Sequence, residues 1–205
     1  MYLSKIHIPW RLSKNSYHLH QALWKLYPER GDEQRNFLYR VERLERGIGT
    51  HILMQSTIRP QQSEDSPVIL DWREYNPVFS SGQRFRFRLR ANPVKTIKDS
   101  RKGTVEKKGK TYTKTVRVPL IHEDQQQAWL ERKLQGIAQL ETLIIQPEPV
   151  MYFRKTKENR SGKIQPVLFD GILRITEPDT FSALFQTGIG PAKAFGCGLL
   201  TVKRV

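Results

Sequence analysis

Apolar residues recur along this chain with two periods, and the order of those periods sets the expected fold. Tyr2 to Ile8 alternates and reads as a strand that ends at Pro9. Leu19, Leu23 and Leu26 follow at helical spacing, with Ser13 or Asn15 as cap and Pro28 as stop. Phe37 to Leu44 and His51 to Thr57 read as a strand pair turning at Gly47 and Gly49. The stretch from Pro60 to Pro67 is polar and breaks the pattern, a short helix is expected before the last strand of the unit, and a strand at Val68 to Trp72 closes it. The second half repeats the order. Arg84 to Ala91 reads as a strand and Asp124 to Leu140 as a helix burying Trp129, Leu130, Leu134 and Ile137. Leu143 to Phe153 and Ile164 to Ile175 read as strands, Pro178 to Phe185 as a helix and Leu199 to Val205 as a last strand. Two successive β-α-β-β-α-β units predict an α+β protein with two tandem ferredoxin-like domains, over residues 1–80 and 81–205.

Charge separates the two halves. The chain has 205 residues and a formal net charge of +15. Residues 1–80 carry 11 basic and 9 acidic side chains, whereas residues 81–205 carry 24 and 11. A polyanion is the expected partner, nucleic acid before an anionic membrane, and its contacts are expected mainly on the second half. The strongest basic stretches read as strands and loops, not as a membrane-surface helix, and no apolar run approaches the roughly 20 residues that span a bilayer. The N-terminus lacks the pattern of a secretory signal. One cysteine, Cys197, rules out an intrachain disulfide and a cysteine-rich zinc site, and fits a reducing cytoplasm.

Three segments concentrate the charge. From Arg84 to Arg90, Arg alternates with Phe85, Phe87 and Leu89, so a strand would bury the apolar side and present Arg84, Arg86, Arg88 and Arg90 on the other. An ordinary half-buried strand explains the alternation but not the choice of Arg, whose planar fork matches phosphate. The next stretch carries Lys95, Lys98, Arg101 and Lys102 on a loop or long hairpin suited to a phosphate backbone. A third cluster, with Arg154, Lys155, Lys157, Arg160 and Lys163, joins two strands as a hairpin tip able to press on an RNA stem near its end. The glycine-rich segment from Gly188 to Gly198 is neither a P-loop nor a dinucleotide fingerprint, since it follows a helix and precedes a strand. From spacing alone it is equally a tight turn between domains and a loop touching RNA, with Lys193 the side chain to test.

The chemistry has few candidates. There is no HExxH, no dense carboxylate cluster for paired magnesium ions and no GxSxG elbow. His7, His51 and His122 sit where a solvated or structural role suffices. Tyr17 and His20 are three apart on the first helix and therefore neighbours, with Trp24 and Tyr27 continuing the face. Taken by itself that face is better read as core packing around a satisfied histidine. Cleavage of RNA by its own 2′-hydroxyl asks for little beyond a proton-handling group, positive charge at the phosphate and in-line geometry. A histidine beside a basic surface meets that need, and positive neighbours would hold it neutral.

Residues throughout the chain then resemble one family. MYLSKI at the start, Tyr17-x-x-His20-Gln-Ala-Leu-Trp24, Phe87-Arg-Leu-Arg-Ala-Asn-Pro93-x-Lys95-Thr96, Val118-Pro-Leu-Ile121, Ser161-Gly-Lys-Ile-Gln165 and Gly188-Ile-Gly-Pro-Ala-Lys193 together resemble the CasE family of type I-E CRISPR systems. The resemblance implies two ferredoxin-like domains and a metal-independent, cofactor-free endoribonuclease. It implies cutting at the base of the CRISPR repeat hairpin to leave a 5′-hydroxyl and a 2′,3′-cyclic phosphate. It further implies retention of the guide RNA and assembly with the other Cascade subunits. His20 matches the family's catalytic histidine and Tyr17 its nearby tyrosine. Where relatives can read Lys-Ser-Gly-Lys, this chain reads Arg160-Ser161-Gly162-Lys163, so Ser161 and Lys163 carry the remaining catalytic expectation. Arg160 can stabilise charge but not readily give a proton, which leaves Lys157 or Lys163 for that role. The rival is a non-catalytic basic RNA-binding subunit, which shares every basic feature and differs at His20. A basic ribosomal or DNA-binding protein is a third reading.

Overall fold

The computed structural model describes residues 1–13, 16–28, 35–64, 66–107, 109–155 and 160–205. Its first unit contains β1 (Tyr2–Pro9), the short α1 (Trp10–Ser13), α2 (Ser16–Trp24), β2 (Phe37–Glu45), β3 (Gly49–Ser56) and β4 (Val68–Glu74). These strands form an antiparallel sheet in the order β2-β3-β1-β4. Ile6, Ile8, Phe37, Tyr39, Ile52 and Met54 bury one face against Leu19, Leu23 and Leu26 of the α2 segment. The periodic leucines therefore do what their spacing predicts. The short helix expected before the last strand is absent among the described residues between β3 and β4. Ser63, Ser66 and Gln62 instead close that stretch with side-chain hydrogen bonds, the local competition that polar residues offer to a helix.

The second sheet repeats the topology. Its strands are β5 (Arg84–Ala91), β10 (Ala138–Pro147), β13 (Val167–Ile175) and β14 (Leu200–Arg204), in the order β10-β13-β5-β14. With α3 (Glu123–Leu134) and α4 (Pro178–Thr187) covering one face, both sheets place their first strand between the third and fourth, the ferredoxin-like arrangement. Phe85, Phe87, Leu89, Trp129, Phe169, Phe181 and Phe185 fill the core. Tyr75 and Phe79, which precede residue 80, pack into this second core.

Three sequence expectations are corrected here. The helix expected to reach Leu140 stops at Leu134, because Gly136 takes a left-handed φ of 72° and β10 begins at Ala138. The strand expected from Leu143 to Phe153 is two strands, β10 and β11 (Met151–Lys155), separated at Pro147 and Pro149. The strand expected from Ile164 likewise divides into β12 (Arg160–Ile164) and β13, with Pro166 between them. The β11–β12 hairpin thus continues the β10–β13 ladder past a kink pinned by Gln165 Nε2 to Glu148 O, 2.6 Å, and Glu148 N to Pro166 O, 3.0 Å. Between β5 and α3 an arm extends as two successive ladders. β6 (Val94–Lys98) pairs with β9 (Thr115–Pro119), and β7 (Thr104–Lys107) pairs with β8 (Lys110–Thr113).

Arg40 and Gln55 join the units. Arg40, 5% exposed, donates to Arg88 O and Thr201 Oγ1, and Gln55 Nε2 donates to Phe185 O. No helix among the described residues is long and apolar enough to cross a membrane.

Candidate active site

Helix α2 lies against two pieces of the second unit, β11 and the 3-10 turn Lys193–Phe195 of the glycine-rich segment. One helix, one basic hairpin and one glycine-rich turn therefore converge. His20 points from α2 toward Trp24 and Phe37, with ring centroids at 6.1 and 5.8 Å. Its Nε2 is enclosed and has no hydrogen-bond partner. The ring is neither core nor solvated but half-buried, so the packing account that the helix face first favours leaves this nitrogen unexplained. Burial, reinforced by the charge of Arg35, lowers its pKa from 6.5 to about 4. Tyr17 is half-buried one turn earlier on the same helix.

Arg35 is not legible in the sequence as a site residue. It stands just before β2, its Nε has no partner, and burial lowers its own pKa. Burial followed by the Arg35 and Lys133 charges lowers Lys193 as well. Arg35, Asn36, Gln55, Thr187 and Lys193 line a cleft of about 490 Å³ between the two units. No periodic pattern singles out Arg35, and only its nearness to Phe37 and His20 in three dimensions reveals it.

The glycine-rich segment is a tight turn held from both units. Tyr39 Oη donates to Ala194 O at 2.8 Å. Arg90 Nη1 donates to Phe195 O and Gly196 O, its Nε to Glu148 at 2.6 Å, and its Nη2 lies 3.0 Å from Met151 Sδ. At Gly196, φ 76°, a Cβ would stand 3.1 Å from the Tyr39 ring and 3.3 Å from Arg90, so the conformation favours glycine and a side chain would crowd both neighbours. Phe153 of the hairpin packs against Phe195, ring centroids 4.6 Å apart and tilted by 38°, and fills the space over Gly162.

These contacts correct one predicted contact residue. Arg90 is 6% exposed and serves to fasten the turn and the hairpin base, so it does not extend the outer guanidinium row. Arg84 pairs with Glu141 and Arg88 with Asp170, both on the exposed sheet face. Arg86 is exposed and, among the described residues, has no carboxylate partner. Lys95, Lys98, Arg101 and Lys102 are exposed on the arm, Arg101 beside Asp99. Lys163, exposed and opposite Tyr152 in the hairpin, lines a second cleft of about 210 Å³ with Asn92, Arg117 and Phe195. Lys157 lies outside the described residues, as do the side chains of Arg154, Lys155, Arg160 and Ser161. Among the described residues no group of three or more His, Cys, Asp or Glu side chains is placed to hold a metal ion.

Comparison with known proteins gives these features a context. The family model described as CRISPR associated protein matches residues 1–204. The CRISPR system Cascade subunit CasE of Escherichia coli K12 is 43% identical over 202 residues, covering 98% of each chain. The CRISPR-associated endoribonuclease Cse3 of Thermus thermophilus is 33% identical, covering 92% of this chain and 90% of that one. The crystal structure of Cas6e from E. coli K-12 matches with a TM-score of 0.83 at 40% identity over the whole of both chains. T. thermophilus Cse3 bound to an RNA representing a pre-cleavage complex matches at 0.76 and 28% identity, over 98% of each chain.

Proposed function

This chain belongs to the CRISPR associated protein family and is of CasE type, and from that premise we propose a metal-independent endoribonuclease that cuts CRISPR precursor RNA at the base of the repeat hairpin. It keeps the guide RNA it produces and carries it within a Cascade assembly, in the cytoplasm. The observation that carries the reading is the partnerless Nε2 of His20 beside Arg35, on the helix that meets both the basic hairpin and the glycine-rich turn.

His20 accepts the proton of the 2′-hydroxyl. Its oxygen attacks the adjacent phosphorus, the bond from phosphorus to the 5′-oxygen breaks, and that oxygen takes a proton from Lys163 or Lys157, leaving a 2′,3′-cyclic phosphate and a 5′-hydroxyl. A ring held neutral near pH 7 can take that proton, whereas an imidazolium cannot. The arriving phosphate offsets the Arg35 field and raises the basicity of the ring as the reaction needs it. Tyr17 positions the scissile phosphate. Lys163, Ser161 and Arg160 stabilise the charge that develops on it. Arg84, Arg86, Arg88, Lys95, Lys98, Arg101, Lys102, Arg154, Lys155, Lys157 and Lys193 hold the phosphates of stem and flank, while Arg90 holds the turn.

The test uses two labelled repeat hairpins, one all-ribose and one with a single 2′-deoxy at the cut, in chelator. Cleavage of the first alone, with both bound, is the expected result. Binding of both with cleavage of neither would leave a non-catalytic RNA-binding subunit, and activity that returns only with magnesium would point to a metal nuclease.

A further inference from the structure

The cleft between the units has chemistry that cutting at a stem does not require. Its wall carries Arg35 and Lys193 and, beside them, the amides of Asn36 and Gln55. Both Asn36 side-chain atoms, Nδ2 and Oδ1, are buried without a hydrogen-bond partner, although the Asn36 carbonyl accepts from Thr57 N just past β3. Gln55 spends its Nε2 on Phe185 O and leaves Oε1 unpartnered. Arg35 Nε is unpartnered, and Lys193 Nζ makes one hydrogen bond, to Thr187 O, leaving donors to spare. Buried polar groups are normally satisfied, and each that is not costs stability. Two cations and two incompletely bonded amides on residues that line one cleft match a ligand with both an anionic group and a hydrogen-bonding edge. At about 490 Å³ the cleft falls in the roughly 300–1,000 Å³ range of small-ligand pockets.

We propose that this cleft receives one unpaired nucleotide of the RNA, the residue immediately 3′ of the scissile phosphate, with its phosphate on Arg35 and Lys193 and the edge of its base on Asn36 and Gln55. The inference rests on the endoribonuclease reading above, which makes the 3′ neighbour of the cut the first nucleotide outside the stem. Only a base free of pairing and stacking can turn its edge to a protein amide. The phosphate of that nucleotide is the reacting one and would sit between the cleft and His20, because Phe37 lines the cleft and packs against His20, while the Arg35 charge reaches both His20 and Lys193. A nucleotide seated there would pull the strand out of line with the stem and turn the 5′-oxygen leaving group away from the attacking 2′-oxygen, the in-line requirement. It would also give sequence preference at a position that pairing within the stem does not read.

The test is equilibrium binding to three hairpins, each 2′-deoxy at the cut: one ending there in a 3′-hydroxyl, one extended by an abasic nucleotide and one extended by the native nucleotide. The wild-type chain is expected to gain affinity at both steps, by about 10- to 100-fold from phosphate and a smaller factor from the base. Arg35→Gln should remove the phosphate step. Asn36→Asp, isosteric with the wild type, should remove the base step and leave the hairpin without extension unaffected. Equal affinity of the wild-type chain for the abasic and native extensions overturns the proposal without recourse to any variant. So does a base step that survives Asn36→Asp. Cleavage of the all-ribose hairpin is measured alongside. If it is cut while the base adds nothing, the pocket fails and the nuclease reading stands. If it is not cut while the base step persists and responds to Asn36→Asp, the pocket stands and the nuclease reading fails.

Discussion

At the residue scale, the proposed chemistry turns on the charge state of His20. Its folded pKa of about 4 lies below the 6.5 of an exposed imidazole. As pH falls below about 6.5 the unfolded chain takes up a proton that the native ring refuses, so stability present at neutral pH is progressively lost until about pH 4, where the native ring protonates too. Replacing His20 by Gln should flatten this part of the profile. Urea unfolding at pH 7 and pH 4.5, in wild type and His20→Gln, checks it: the wild type should lose more stability between the two than the variant. An equal loss in both would mean that His20 is protonated alike in the folded and unfolded states. Arg90 and Arg86 offer a second comparison, since both stand in the same Arg-rich strand. Arg90→Gln leaves Glu148 and the carbonyls of Phe195 and Gly196 unpaired, so its effect should appear in denaturant unfolding, at about 3 kcal/mol. Arg86→Gln should leave stability within about 0.5 kcal/mol and weaken binding of the hairpin instead.

At the scale of elements, local rules account for most of what the sequence makes legible and for most of what it does not. The alternation from Arg84 to Ala91 gives β5 without error, because a strand buried on one face must alternate. The same alternation cannot say which outer residue a neighbouring turn will cover, and Arg90 is covered by Phe195 and Gly196, more than a hundred residues away. Periodicity over-extends helix α3 because Ile137 and Leu140 keep the apolar pattern while Gly136 turns the backbone away. The glycine-rich segment is ambiguous in sequence because close approach between domains and close approach to RNA ask the same of a backbone. Its contacts with Tyr39, Arg90 and Trp129 show that it packs between the domains and beside α2, which leaves Lys193 available to RNA. His20 is named by a resemblance, and Arg35 escapes notice because their proximity is a property of the fold, not of spacing. Gly196→Ala tests the element directly: the added methyl meets the Tyr39 ring at a left-handed φ, so unfolding stability should fall by about 1 kcal/mol or more and cleavage should fall with it.

At the scale of the whole molecule, the two ferredoxin-like units are repeated in topology but not in role. The first supplies α2 with Tyr17 and His20, and the second supplies most of the positive charge, the arm and the hairpin. We propose two domains, 1–80 and 81–205, with the stretch from Tyr75 to Phe79 as a linker docked on the second core, and with a consequence for cutting the chain at 80. Phe79 lies 4.8 Å from Phe181 and 5.3 Å from Phe185, so a fragment starting at 81 leaves those rings uncovered. It should unfold at lower denaturant than a fragment starting at 75, and equal midpoints would show that the linker adds nothing. Binding by so basic a chain should weaken steeply with salt. If six phosphates are neutralised, the log–log slope of affinity against salt is about −4 to −5, and a slope near zero would remove phosphate contact as the main source of affinity.

The most direct measurement is single-turnover cleavage of the all-ribose repeat hairpin, in chelator, by the wild-type chain and His20→Ala, with hairpin affinity measured for both. The expected result is a rate lower by about 10²- to 10⁴-fold in the variant at nearly unchanged affinity. Cleavage by His20→Ala at the wild-type rate would contradict the account, because the proton would then be handled elsewhere.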